Sequence, residues 1–185
     1  MHDSKLLEDL RARFNAGEPL DFTFFWGHQR SKNAVTASCF SQWYEAEFVV
    51  EGQRYPTAEH FMMAEKAALF DDQEIRAQVL QAPTPNAAKA LGRKVRGFND
   101  RLWLQHRYDI VFQANQAKFS QNPELNEYLM RTGSRVIVEA SPVDAIWGIG
   151  LAQDHPDVND PNLWKGLNLL GFALMQVRDG RNGSS

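Results

Sequence analysis

The sequence predicts a helix-dominated α+β fold in a single domain, and three observations carry that expectation. A chain of 185 residues is the size of one domain and can bury a real core without metal or disulfide staples. Most of it divides into segments that open on helix-capping residues, two of them closed by glycine, as helices do. Only a few short β-branched or aromatic runs interrupt them, enough for a small sheet or hairpin and no more. There is no internal repeat and no low-complexity linker.

In chain order, Met1–Asn15 sets Leu6, Leu7, Leu10 and Phe14 among charged residues at helical spacing, so residues 1–20 read as an N-terminal helical extension. Residues 21–180 read as the functional domain. Ala16-Gly17-Glu18-Pro19 breaks the chain and Phe22–Trp26 reads as a short buried strand. Glu47–Val50 and Arg54-Tyr55 flank Glu51-Gly52-Gln53 as a hairpin with glycine in its turn. Thr57 caps a helix to about Leu69, and Asp71-Asp72 caps the next to about Leu80. Thr84 with Pro85 at the first helical position starts a third. Asn99-Asp100 opens a long helix from about Arg101 to Phe119, and Asn122-Pro123 opens another that Gly133 closes. Arg135–Glu139 is strand-like, and Ile146–Leu151 is a second short strand or an ordered loop. A last helix is expected over Lys165–Arg178, ending at Gly180, with residues 181–185 as a frayed tail.

Composition limits function. A net charge of −3 argues against a broadly polyanion-binding protein, though it allows a local basic groove. Cys39 is the lone cysteine, which excludes an intramolecular disulfide framework and is expected to be a core thiol. His28, His60, His106 and His155 lack metal-binding spacing, so no metal and no cofactor are expected. No apolar run is long enough for a membrane span and no leader pattern is visible, so a cytoplasmic protein is expected.

Three stretches are candidates for chemistry. On the helix from Ala58, Glu59, Met63 and Lys66 fall on one face, putting an acid and an amine side by side. The positive helix end is expected to favour an ionised Glu59. The plainer alternative is a capping glutamate and a solvated lysine. Lys89, Arg93, Lys94 and Arg96 make the densest cationic stretch, suited to a phosphate or else a solvated helix face. No P-loop or dinucleotide-binding glycine pattern accompanies it. From Glu139 to Gly150, acids, Trp147 and the glycines 148 and 150 follow a strand, and a ligand can approach the backbone closely at glycine. Asp144 is either part of a site or a helix cap. Five tryptophans, at 26, 43, 103, 147 and 164, each with a glycine or polar neighbour, read as core residues or as the flat walls of a site.

These segments together resemble the YbiA/NADAR family. The resemblance runs through Tyr55–Ala67, Lys89–Arg93, Trp103, Ala117–Phe119, Thr132-Gly133, Val138–Ser141, Asp144, Trp147–Gly150 and Trp164–Gly171, in the family's order, from about Phe22 to Arg178. It implies cleavage of a ribose–nitrogen bond in a YbiA-like N-glycosidase domain without a metal. Similar proteins hydrolyse early phosphoribosylamino-pyrimidine intermediates of riboflavin synthesis, and others remove ADP-ribose from guanine in nucleic acid. By position, Glu59, Trp103, Asp144 and Trp147 match family active-site residues, and Lys66 matches a lysine proposed as a covalent catalyst. Trp103 and Trp147 would stack on the base, Lys89 and Arg93 would hold the phosphate, and Gly148 and Asn168 complete the implied substrate-binding set. Trp164 would stand near the site. Some members read Phe-Ser-Asn where this chain has Phe40-Ser41-Gln42-Trp43. The expected partner is therefore a small ribosyl-base phosphate, with ADP-ribosylated nucleic acid, or ADP-ribose or NAD held without turnover, as alternatives.

Overall fold

A computed structural model describes residues 2–182 of the chain. Its helices are α1 (His2–Asn15), α2 (Ala58–Leu69), α3 (Gln73–Leu80), α4 (Pro85–Gly92), α5 (Asp100–Gln121), α6 (Pro123–Met130) and α7 (Leu169–Asn182). Its strands are β1 (Phe22–Phe25), β2 (Phe48–Val50), β3 (Gln53–Tyr55) and β4 (Val136–Glu139). Seven helices and four short strands among the described residues make the α+β fold that the sequence predicts. None of these helices is long and apolar enough to cross a membrane.

The helix starts follow from local chemistry. The side chains of Thr57, Asp72, Thr84 and Asn99 each accept a backbone N–H from the first turn, at His60, Ile75, Ala87 and Leu102. Asn122 differs. Its side chain makes no cap for α6 and instead donates to the Lys118 and Glu47 carbonyls, closing α5 and tying it to the hairpin. The hairpin turn places Glu51 and Gly52 at φ +49° and +79°, both left-handed, which matches the twist of the strands it joins.

The parallel pair is the feature no local signal announced. β1 lies beside β4 with Phe22 opposite Val136 and Phe25 opposite Glu139. α7 packs on β4, and α5 packs against both α7 and α2. α2 is buried from Ala58 through Ala64 because α3, α4 and α5 all pack on it. α1 packs on its own domain: Leu7 and Leu10 are buried, Arg11 donates to the Pro161 carbonyl, and Arg107 pairs with Asp3 at 2.9 Å. Cys39 is fully buried, as expected, and burial pushes its thiol up to about 12.

Of the two readings of residues 146–151, a short strand or an ordered loop, the loop is the one that forms. The last helix differs from expectation at both ends. α7 begins at Leu169, not Lys165, because residues 165–168 give their N–H groups to that loop: Lys165 to Ile149, Leu167 to Ala145 and Asn168 to Gly148, at 2.9–3.1 Å. Gly166 makes this possible, since a Cβ there would lie 2.3 Å from the Gly148 carbonyl oxygen. The helix also runs through Gly180 to Asn182, so the first two residues of the expected tail are helical. Residues 183–185 lie outside the described residues.

Candidate active site

β1 and β4 end side by side, and a cavity of about 570 Å³ opens beyond their carboxyl ends. Trp26 comes directly after β1, and Glu139 is the last residue of β4. α2 supplies Glu59, Met63 and Lys66 from one face, as their spacing predicts, and Gln42 accepts the Glu59 N–H through its carbonyl at 3.0 Å. Lys89 and Arg93 enter from α4 and its C-terminal cap, Trp103 from the first turn of α5, and Asp144 with Trp147 from the loop after β4. The volume suits a small-molecule ligand.

Burial decides the charge state here. Glu59 is buried, and desolvation pushes its carboxyl up to about 7, with Asp144 adding to the rise and Lys89, Lys66 and Arg93 opposing it. Near neutral pH Glu59 is thus divided between its protonated and ionised forms, with the loss of water opposing the three cations. Glu139 is pushed higher, to about 8, by desolvation and by the Asp144 and Glu59 charges, against Lys89 alone. Its residue is only partly buried, yet Oε2 is sealed from solvent without a hydrogen-bond partner. Burial also lowers the Lys66 ammonium, whose Nζ sits 4.6 Å from the Phe98 ring centroid and 5.6 Å from that of Trp103.

The loop after β4 is held by backbone-directed bonds. Asp144 Oδ1 accepts the N–H groups of Ile146 and Trp147, both at 2.8 Å, so Asp144 fixes the Trp147 wall while lining the cavity itself. Gly148 and Asn168, implied as substrate-binding, stand behind the wall instead. Gly148 is buried where a Cβ would lie 2.9 Å from the Glu139 carbonyl oxygen, so its small size serves packing. Asn168 is fully buried at φ +54°; it accepts the Glu139 N–H at 3.0 Å and donates to the Ile137 carbonyl at 3.0 Å. Both position Glu139 and the loop rather than touch the cavity.

The cationic run also divides. Lys89 and Arg93 face the cavity, whereas Arg96 pairs with the buried Asp72 at 2.6 Å and holds that carboxyl well below its usual range. Of the tryptophans, 26, 43, 103 and 147 line the cavity. Trp164 does not: it is buried against Phe22 and donates its indole N–H to the Val158 carbonyl, which makes it core. Glu139 opens the third candidate stretch but is given no role there, and the sequence does not single out Gln42 as a site residue. The signal for Glu139 is its place as an acid at a strand's carboxyl end, where ligands commonly bind. Gln42 lines the cavity with its Nε2 unpartnered, while Oε1 accepts from Asn115 at 2.9 Å. The turn that presents it is held by Lys118, fully buried, donating to the Cys39 and Ser41 carbonyls at 2.6 and 2.9 Å.

Fold and cavity together define a class: an α+β protein whose pocket pairs buried carboxyls with cations between aromatic walls, suited to a polar ligand carrying a flat ring. Residues 24–180 match the NADAR domain, and the chain belongs to the NADAR family. An N-glycosidase of Acanthamoeba polyphaga mimivirus is 44% identical over 164 residues, 85% of this chain and 95% of that protein. A chloroplastic riboflavin biosynthesis protein of Zea mays is 34% identical over 131 residues, 67% of this chain but 19% of that longer protein. The NMR structure of Escherichia coli YbiA superposes with a TM-score of 0.71 at 26% identity, over 88% of this chain and 85% of that one.

Proposed function

We propose that the protein is an N-glycosidase that hydrolyses the bond between a phosphorylated ribose and the nitrogen of a base. The observation that carries this reading is the grouping of Glu59, Glu139 and Asp144 with Lys66, Lys89 and Arg93 in one aromatic-walled cavity of about 570 Å³. Breaking a ribosyl–nitrogen bond develops positive charge at the anomeric carbon and ring oxygen, which a carboxylate stabilises. Glu59 serves as that carboxylate, and as the base toward water, when its proton is lost. Asp144 adds negative charge and holds Trp147. The base stacks on Trp103 or Trp147, and Lys89 with Arg93 takes the phosphate. No metal is required for these steps.

Lys66 supports a second version of the sugar chemistry. An amine with a lowered pKa is a better nucleophile at neutral pH, and Lys66 could add to the opened sugar as an imine that water later releases. The name of the mimivirus relative supports the hydrolysis of N-glycosides, and that of the maize relative supports a link to riboflavin biosynthesis. A cytoplasmic location goes with this reading, supported by the lone cysteine of the sequence.

A different substrate within the same chemistry has its own observation. A cleft of about 490 Å³ adjoins the cavity across His28 and Trp43, which line both, and offers Arg30. That extra room favours a longer ligand such as ADP-ribose on guanine. The two are separated by incubating the protein with a phosphoribosylamino-pyrimidine and with ADP-ribosylated guanosine and monitoring release of base and sugar. Turnover of the first is expected. Turnover of the second alone would reassign the substrate, and binding of ADP-ribose without turnover of either would make the protein a binding module.

A further inference from the structure

We infer that Glu139 is the proton donor to the departing base nitrogen, a catalytic role distinct from that of Glu59. This assignment rests on the N-glycosidase reading above. Glu139 is the last residue of β4, and its backbone is pinned on both sides: its N–H donates to Asn168 Oδ1 at 3.0 Å and its carbonyl accepts from Ile149 at 3.0 Å. Gly148 presses on the same carbonyl, where no Cβ would fit. The side chain lines the cavity, while Oε2 is sealed from solvent with no partner in the protein, so a ligand meets the carboxyl through Oε1. A carboxyl with one oxygen shut away in this manner is costly when ionised and tolerable when protonated, and the proton reaches a ligand from Oε1.

The surroundings separate the two glutamates. Lys89, Lys66 and Arg93 all draw Glu59 toward its ionised form, whereas Glu139 feels only Lys89 against the carboxyls of Glu59 and Asp144. Two acids in one site with environments that push them apart divide into a donor and a base. In the cleavage step the C1′–N bond breaks, its electron pair goes to nitrogen, and nitrogen takes the proton from Glu139. Water then adds to C1′ and gives a proton to Glu59, so the pair ends with its protonation exchanged and resets by transfer through water. If Lys66 captures the sugar first, the departing nitrogen still needs the same proton.

The test uses two leaving groups on the full chain. Glu139→Gln is assayed on a phosphoribosylamino-pyrimidine, whose nitrogen needs a proton to leave, and on 4-nitrophenyl riboside 5-phosphate, whose phenolate does not. The variant is expected to lose about 10²- to 10⁴-fold in kcat on the first and under about 10-fold on the second, with KM little changed. Equal losses on both, or none on the first, would overturn the assignment. The pH profile for the pyrimidine is the second readout: wild-type kcat/KM should fall as pH rises through about 8, and that limb should vanish in the variant. Glu59 from α2, Asp144 from the loop and Lys89 from α4 also face this carboxyl, so a limb that persists in Glu139→Gln belongs to one of them and refutes the inference. Wild-type protein that releases no base from the pyrimidine would defeat the N-glycosidase reading on that substrate and this assignment with it.

Discussion

Replacing Glu139 by Gln should stabilise the protein in alkali and not in acid. Burial and two neighbouring carboxyls push the Glu139 carboxyl from 4.5 to about 8, so the folded state holds its proton more tightly than the unfolded chain. That difference fixes the sign. The contribution to stability is complete below the unfolded value of 4.5 and is lost as pH rises through about 8. At roughly 1.4 kcal/mol per tenfold change in proton affinity, the ionised form is disfavoured by up to about 5 kcal/mol. Glu59 and Asp144 share the same field, so about 3 kcal/mol is the working figure. Glutamine does not titrate and escapes this cost. It leaves a buried amide atom unpaired, a penalty of ~1–3 kcal/mol that is the same at every pH. The informative quantity is therefore the change, between pH 5 and pH 9, in the difference between variant and wild type. For a chain of this size about 3 kcal/mol corresponds to roughly 6–12 °C in Tm. Scanning calorimetry of both proteins at pH 5, 7 and 9 measures it. A Tm difference that stays constant across that range would show that Glu139 is not held protonated by the fold.

The same geometry gives two further outcomes. Asn168→Ala removes the acceptor for the Glu139 N–H and the donor to the Ile137 carbonyl and puts alanine at φ +54°, so unfolding in urea should show a loss of about 2–4 kcal/mol. Borohydride added during turnover should leave a sugar adduct on Lys66 by peptide mass analysis if the imine version holds; unmodified Lys66 eliminates that version and leaves direct attack by water.

Local chemistry made much of the fold legible. Thr57, Asp72, Thr84 and Asn99 each announce a helix start within a few residues, and the Glu51-Gly52 turn announces the hairpin. The β1–β4 pairing could not be read this way, since Phe22 meets Val136 only after five helices have been packed between them. The site divides along the same line. Glu59 and Lys66 share a face by helical spacing, which sequence supplies. That Glu139 joins them depends on where β4 ends beside β1, and that Glu59 is pushed up to about 7 depends on how much water α2 has lost. Asn168 and Gly148 sit in the right motifs, but no local pattern distinguishes a residue that touches a ligand from one that holds the residue in front of it. Trp164 fails for the same reason: its indole is turned to Val158 inside the core.

The central claim, that this cavity breaks ribosyl–nitrogen bonds with Glu59 at its centre, is tested most directly by the kcat/KM of wild type and Glu59→Gln on a phosphoribosylamino-pyrimidine. Release of base and ribose phosphate by the wild type is expected, with a loss of at least about 10²-fold in the variant and no reduction in its Tm. Turnover of the variant near the wild-type rate would contradict the claim.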